Sequence, residues 1–326
     1  MKNMKKFFIS LAAIAITLAT PAMAATPDAA SMADSVATVY FIKDITPENL
    51  VKIYKALGRE ATGKVAVKIS TGESRKSHQL DPKMIKPLVD TVNGTIVECC
   101  TAYNGTRNSP EKAIETARDH GYMDIAKVDI MDAEGQVHLP VSGGRHLQFD
   151  IVGKDYPDYD YTLVLSHFKG HAMGGFGGAL KNISIGIASS EGKAWIHSAG
   201  TDSIPATMWN HLPEQDIFLE SMAEASKAII DHAGDNIVYI NVANNLSVDC
   251  DCDGNPHAPE MADLGIYASL DPVAVDRACV DAVFNSTDPG KAALIERINS
   301  RHGTHTLDYA EQIGLGTQKY EIVTLE

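Results

Sequence analysis

An unbroken apolar run, Tyr161 to Leu165, empties at Ser166 into a loop crowded with His167, Lys169, His171, four glycines and Lys181; His197 closes the segment. Such a run reads as a strand, and in α/β folds the loops that follow strands build ligand sites. Gly174, Gly175, Gly177 and Gly178 clear side-chain bulk and let backbone approach a bound group closely. Two imidazoles and two amines beside bare backbone point to a site for an anion or a metal. The competing reading is a glycine-rich turn with solvated side chains. On the site reading, His171, Lys181 and Lys169 are the candidate catalytic residues. Gly174, Gly175, Gly177, Gly178 and Lys181 would hold a cofactor, and His167, His171 and His197 would ligate a metal. His167 and His171 are four apart, but the flanking glycines argue for a loop rather than a shared helix face. The zinc-helix pattern HExxH is absent.

The rest of the chain alternates strand and helix. Strands are expected at Val36–Ile42, Lys64–Ser70, Thr95–Thr101 and Val128–Met131. Helices are expected from Pro47 to about Leu57, over Pro82–Val92, and from Pro110 to about His120. Thr46-Pro47 and Ser109-Pro110 are helix starts, a capping residue followed by proline. Val137–Val152, with Gly143-Gly144 inside, reads as a hairpin. Further on come a helix over Gln215–Ala233, a strand at Asn236–Val242 and a strand-like Ala262–Ala268. Helices follow from Pro272 under an Asp271 cap, at Lys291–Arg301 and at Thr306–Ile313, and Tyr320–Leu325 closes as a strand. The economical fold is α/β: a mainly parallel sheet with helices on both faces. Residues 36–326 form one domain on this reading, and 135–160 is where it would divide if there are two lobes.

Lys2, Lys5 and Lys6, the apolar run Phe7–Ala19 and Ala22-Met23-Ala24 make residues 1–24 a cleavable signal peptide, followed by a flexible leader over 25–35. Cleavage takes the formal charge from -14 to -17. Such an acidic chain is a poor nucleic-acid partner. No cysteine follows the apolar run to take a lipid, and no later stretch is long and apolar enough to span a bilayer. The expectation is a periplasmic or secreted bacterial protein without a stable membrane anchor, with a small-molecule anion as its partner.

The five cysteines are Cys99, Cys100, Cys250, Cys252 and Cys279. Cys250 and Cys252, one residue apart, are poorly spaced for a bridge. They lie in Asp249-Cys250-Asp251-Cys252-Asp253-Gly254, with His257 and Glu260 beyond. The spacing matches a calcium loop, but Pro256 and a strand-like rather than helical approach argue against an EF-hand. Cys250, Cys252 and His257 suit a softer metal; an acidic loop with idle thiols is the alternative. Arg75, Lys76, His78 and Arg107 follow early strand ends, where they would clamp a carboxylate or phosphate.

Several of these motifs together resemble the domain-of-unknown-function family 362. They are Ser166–His171, Gly174–Asn182, Asp249–Cys252 with Pro256-His257, Asp263–Ile266, Asp271–Asp276, and the ending Gly314-Leu315-Gly316 to Leu325. Members are often labelled iron–sulfur centre proteins and many carry a ferredoxin-like insert. Here no C-x2-C-x2-C run follows His197-Ser198, so the resemblance brings no ferredoxin-type [4Fe–4S] cluster to this chain. A more distant similarity is to the nickel-pincer lactate racemases. Their order of histidine, glycine-rich turn, cofactor-bearing lysine and nickel-binding histidine is matched by His171, Lys181 and His197. Their catalytic histidine after an early strand is not matched; Thr106-Arg107 stand there. With the signal peptide supplying export, the resemblance implies a metal- or cofactor-binding protein, an enzyme on a small anionic substrate if it is catalytic. The first alternative is a racemase or isomerase of a small hydroxy acid, using a nucleotide-derived nickel cofactor on Lys181. The second is a non-catalytic small-anion binding protein. The cofactor itself is not identified by the sequence; a divalent or soft transition metal is the candidate.

Overall fold

The computed structural model describes residues 35–326; the signal peptide and nearly all of the leader expected above lie outside them. Among the described residues, eight strands form one sheet. In chain order these are β1 (Ala37–Ile42), β2 (Val65–Lys68), β3 (Thr95–Glu98), β4 (Val128–Ile130), β7 (Tyr161–His167), β10 (Ile237–Ala243), β11 (Gly265–Ser269) and β12 (Tyr320–Thr324). Their spatial order is β12-β1-β11-β10-β7-β2-β3-β4. The run β10-β7-β2-β3-β4 is parallel throughout. β11 alone runs against its neighbours β10 and β1, while β12 joins β1 in parallel. Two small sheets stand apart: the hairpin β5 (Gln136–Pro140) with β6 (Phe149–Gly153), and β8 (Lys169–His171) with β9 (Gly175–Gly177).

All seven residues of β7 are buried, which accounts for its unbroken apolar run: a central parallel strand is covered on both faces. The alternation shows which face each residue serves. Leu163 and Leu165 join the layer that α1 (Pro47–Ala56), α2 (Pro82–Thr91) and α3 (Pro110–Asp119) cover, through Leu50, Leu88 and Ala113. Val164 joins the opposite layer with α4 (Ala179–Ile187), α6 (Gln215–Ala233) and α7 (Pro272–Asn285), through Ile183, Phe218 and Val275. The fold is therefore α/β, mainly parallel, with helices on both faces. No helix of the described residues is long and apolar enough to cross a membrane.

Four helices begin as the sequence marks them. Thr46 accepts from Asn49 N, Asp81 from Lys83 N, Ser109 from Lys112 N, and Asp271 from Val273 and Ala274 N, each with proline next in the chain. The segment after β7 departs from the expected loop. It folds into the β8–β9 hairpin, then α4, then α5 (Ser190–His197). α4 hides from pattern reading because Gly178 precedes it and no nearby side chain caps it. Its first amides, Ala179 N and Leu180 N, are instead taken by Asp276 of α7 at 2.7 and 3.0 Å. The remaining helices, α8 (Lys291–Ser300) and α9 (His305–Gln312), follow the expected spans closely.

Candidate functional site

The C-terminal ends of β2 and β3 open onto one cavity of about 700 Å³. Lys68 ends β2 and Glu98 ends β3; both are buried and joined at 3.0 Å. Arg107 reaches in from the loop after β3 to meet Glu98 at 3.2 Å and Glu73 at 3.1 Å. Burial works against charge on both Lys68 and Glu98. The Glu98 carboxyl is nonetheless held below its usual range by Lys68 and Arg107, whereas burial prevails at Lys68 and lowers its amine. Asn182, on α4, accepts from Lys68 Nζ at 3.1 Å and donates to Ser166 Oγ at 3.1 Å, locking the floor of the cavity to the sheet.

Above this floor sit the residues the sequence singled out. Lys181, on the first turn of α4, lines the cavity and makes no side-chain hydrogen bond or ion pair among the described residues. Burial, and after it the nearby charge of Lys169, pulls its amine down to about 7. Lys193 of α5 also lines the cavity without a carboxylate partner; its Nζ donates to Ala188 O at 2.6 Å. His197 ends α5 with Nδ1 bonded to Lys193 O at 2.6 Å, so its Nε2 is the nitrogen left for a ligand. Burial lowers it to about 4, so it is neutral at physiological pH. His171, at the end of β8, takes the N–H groups of Met173 and Gly174 on Nδ1, at 3.2 and 2.8 Å. A neutral imidazole has one donor and one acceptor nitrogen, so Nε2 carries the proton. Burial and then Lys181 hold its pKa well below the usual value. His171, Lys181 and His197 thus come together on one cavity.

Other candidates do not join them. His167 is occupied at both nitrogens, by Asp251 at 2.8 Å and Asn244 O at 2.6 Å. Lys169 pairs with the second Asp251 oxygen at 2.7 Å and, outside the main cavity, lines an adjoining recess of about 50 Å³ with Gly177, Gly178 and Lys181, the last of which stands on both. Burial opposes ionisation of Asp251, but His167 and Lys169 keep it charged, well below the usual carboxylate range. His257 is exposed and pairs with Asp249. Arg75, Lys76 and His78 stand outside the cavity lining; of the expected anion clamps, Arg107 reaches it.

The glycines expected to cradle a cofactor mostly make room for protein. A Cβ on Gly178 would lie 2.2 Å from Asp276 Oδ1, and one on Gly175, at φ +79°, 2.9 Å from Gly303 Cα. Gly174 and Gly175 are absent from the cavity lining.

Cys250 and Cys252 also reach the cavity wall, and here the expectation that their spacing is poor for a bridge needs correction. Their sulfurs are bonded to each other, with Cα atoms 5.2 Å apart. Their sulfurs and a ring nitrogen of His171 lie within 4.8 Å of one another. A metal at that point requires the disulfide reduced. It also requires His171 to give up the two backbone contacts on Nδ1, because a ligating imidazole ordinarily donates through its other nitrogen. The donor set therefore does not fit a metal in the oxidised form. The acidic loop is not an EF-hand either: β10 precedes it and β11 follows it.

Residues that pattern reading passed over complete the wall: Lys68, Glu73, Glu98, Lys193 and Trp209. Lys68 and Glu98 carried a usable signal, since a charged residue at the buried end of a strand needs a partner.

The profile of the domain of unknown function DUF362 matches residues 65–281, a span that holds every cavity residue named above. The chain belongs to the DUF362 family. No curated protein matches it. Two solved structures are similar to this DUF362 chain over part of their length. One is the lactate racemase apoprotein of Thermoanaerobacterium thermosaccharolyticum, at 16% identity and TM-score 0.38, covering 67% of this chain and 52% of that one. The other is a structural-genomics protein of Thermotoga maritima, at 14% identity and TM-score 0.40, covering 72% of this chain and 57% of that one. The DUF362 chain thus spans little more than half the length of either.

Proposed function

We propose that this DUF362 protein is exported and uses the cavity at the strand ends to bind a small anion of the carboxylate class. The carrying observation is Lys181, an unpaired amine poised near neutrality that faces the cavity. Lys193 adds a second amine without a carboxylate partner, and His171 Nε2–H adds a neutral donor. Lys68 and Arg107 add little free charge, because Glu73 and Glu98 neutralise them. An entering carboxylate would restore the missing partner of Lys181 and raise its pKa, so binding takes up a proton above pH 7. Thermal-shift titration with lactate, acetate and phosphate at pH 6 and pH 8.5 tests this. Stabilisation by carboxylates that is stronger at pH 6 and lost in Lys181→Met is the expected result. No stabilisation by any of the three anions at either pH would defeat it. N-terminal sequencing of the chain secreted by a bacterial host tests export, with Ala25 as the expected first residue.

A second reading has its own observation. His171, Lys181 and His197 share one cavity in the order matched to the nickel-pincer racemases. A free amine near pKa 7 is a competent nucleophile for tethering a cofactor, and His197 Nε2 is open to ligate. In this reading Lys181 would carry the group and His197 would hold its metal. His171 would take and return the proton of the substrate hydroxyl, and the cofactor would supply hydride-accepting chemistry at the adjoining carbon. Intact mass of the protein from its native host decides: an unmodified mass leaves the anion-binding reading alone.

A further inference from the structure

A second cluster of titratable groups lies behind the cavity wall, outside everything described so far. Asp216 and Glu220 stand one turn apart on α6. His302 follows α8 and His305 opens α9. His302 Nδ1 meets Asp216 at 2.6 Å; His305 Nε2 meets Glu220 at 3.0 Å. His146, from the β5–β6 loop, meets the other Glu220 oxygen at 2.5 Å. That loop is itself pinned, with the amides of Arg145, His146 and Leu147 on Glu224. His302 has φ +50°, a backbone region where glycine is the easy choice.

We propose that Asp216, His302 and His305 form a divalent-metal site of the nitrogen/oxygen type, with Zn²⁺ the best-suited ion. One ligand atom from each residue already lies within 4.8 Å of the others. Tetrahedral Zn²⁺ ligands sit about 3.3 Å apart, given Zn–N and Zn–O bonds of about 2.0 Å. The exposed ends of Asp216 and His302 rotate to that spacing around the part-buried His305. Glu220 plays the orienting part: by accepting Nε2–H of His305 it fixes the tautomer and leaves Nδ1 with its lone pair. His146 is held by the same carboxylate as a reserve imidazole. No thiol takes part, so the site is independent of the Cys250–Cys252 disulfide and of the cavity reading.

The location gives the ion a structural task. Gln215, beside Asp216, donates to Met173 O at 2.8 Å and Arg301 O at 2.7 Å. Gly303 packs on Gly174 and Gly175, in the turn that follows His171. An ion here would clamp the α8–α9 turn to α6 and stiffen the loop that presents His171.

Tag-free protein, stripped with chelator, is titrated with Zn²⁺ and followed by calorimetry and thermal unfolding. One Zn²⁺ per chain with micromolar or tighter affinity is expected, together with a rise in Tm. His302→Asn with His305→Gln should weaken binding at least 10-fold, and Glu220→Gln by 10- to 100-fold. Cys250→Ser with Cys252→Ser should leave binding unchanged. Co²⁺ in place of Zn²⁺ should show no thiolate charge-transfer absorption. Absence of binding at 100 μM Zn²⁺ overturns the proposal, as does binding indifferent to the histidine variants or abolished by the cysteine variants. Should the histidine variants fail to fold, the Glu220→Gln affinity and the Co²⁺ spectrum still decide.

Discussion

His171 Nδ1 accepts the N–H of Gly174 at 2.8 Å, and this one bond sets what the histidine offers the cavity. With the acceptor nitrogen used by backbone, Nε2–H faces outward as a donor. His171→Gln, whose amide also donates, should keep carboxylate affinity within a few-fold. His171→Leu should lose about 10-fold, the worth of one hydrogen bond to a charged group. Calorimetric titration with lactate separates the two; equal loss in both variants would mean that donation at this position is irrelevant.

Lys181 makes a prediction about pH. Its folded amine titrates near 7, below the usual 10.5. Between those values the unfolded chain binds the extra proton, so stability should rise as pH increases from 7 toward 10. Below pH 7 both states are protonated and the cost of the buried charge is felt in full. Lys181→Met removes that cost. The variant should unfold at a higher temperature than the parent at pH 6 to 7, and the gap should shrink toward pH 10. Parallel Tm curves would show that the amine is better solvated than its setting indicates.

Gly178 is fixed by Asp276, 98 positions later in the chain. A methyl there would meet the carboxylate at 2.2 Å, and that carboxylate also caps Ala179 N and Leu180 N and takes Asn241 Nδ2 at 2.7 Å. Gly178→Ala should cost about 2–4 kcal/mol, combining overpacking with loss of a buried cap. Denaturant unfolding measures it; a loss under 1 kcal/mol would mean the α4 start shifts freely.

These positions also mark where the sequence could be read and where it could not. Thr46, Ser109 and Asp271 cap helices within three residues of themselves, so local pattern finds them. Gln215–Ala233 repeats its apolar face over five turns and was legible at both ends. α4 is invisible for the opposite reason: its cap comes from another helix, and Ile183, Ile185 and Ile187 look like strand. The run of glycines signalled close approach correctly, but composition does not say whether ligand or protein approaches. His171, Lys181 and His197 were legible as chemistry. Glu98 and Lys68 were legible only as charged strand ends in need of partners; that they partner each other was not, because the pairing joins two strands 30 residues apart.

Cys250 and Cys252 close a ring of three residues, so their bond constrains the unfolded chain little. Loop entropy assigns it roughly 1.6 kcal/mol, against about 4.7 for a loop of 100. Cys250→Ser with Cys252→Ser should therefore lower Tm only slightly. Alkylation of the unfolded, unreduced chain should label Cys99, Cys100 and Cys279 alone, the thiols that are free in the fold. Five labelled cysteines without reductant would remove the disulfide and reopen the thiolate-metal reading.

Asp150 carries the last prediction. It is wholly buried on β6, and neither carboxylate oxygen has a hydrogen-bond partner among the described residues. Burial raises its pKa to about 8, with the Ile151 amide and Lys193 opposing only in part. The folded chain therefore keeps a proton that the unfolded chain releases above about pH 4. Stability from this residue is intact below pH 4 and is lost as pH climbs through 8. Asp150→Asn keeps the shape and cannot ionise. It should match the parent near pH 4 and exceed it at pH 8.5 by roughly 1–3 kcal/mol, the cost of an unsatisfied buried polar group. Urea unfolding at the two pH values checks this. A difference that does not grow with pH would show the carboxylate to be charged and compensated in the fold.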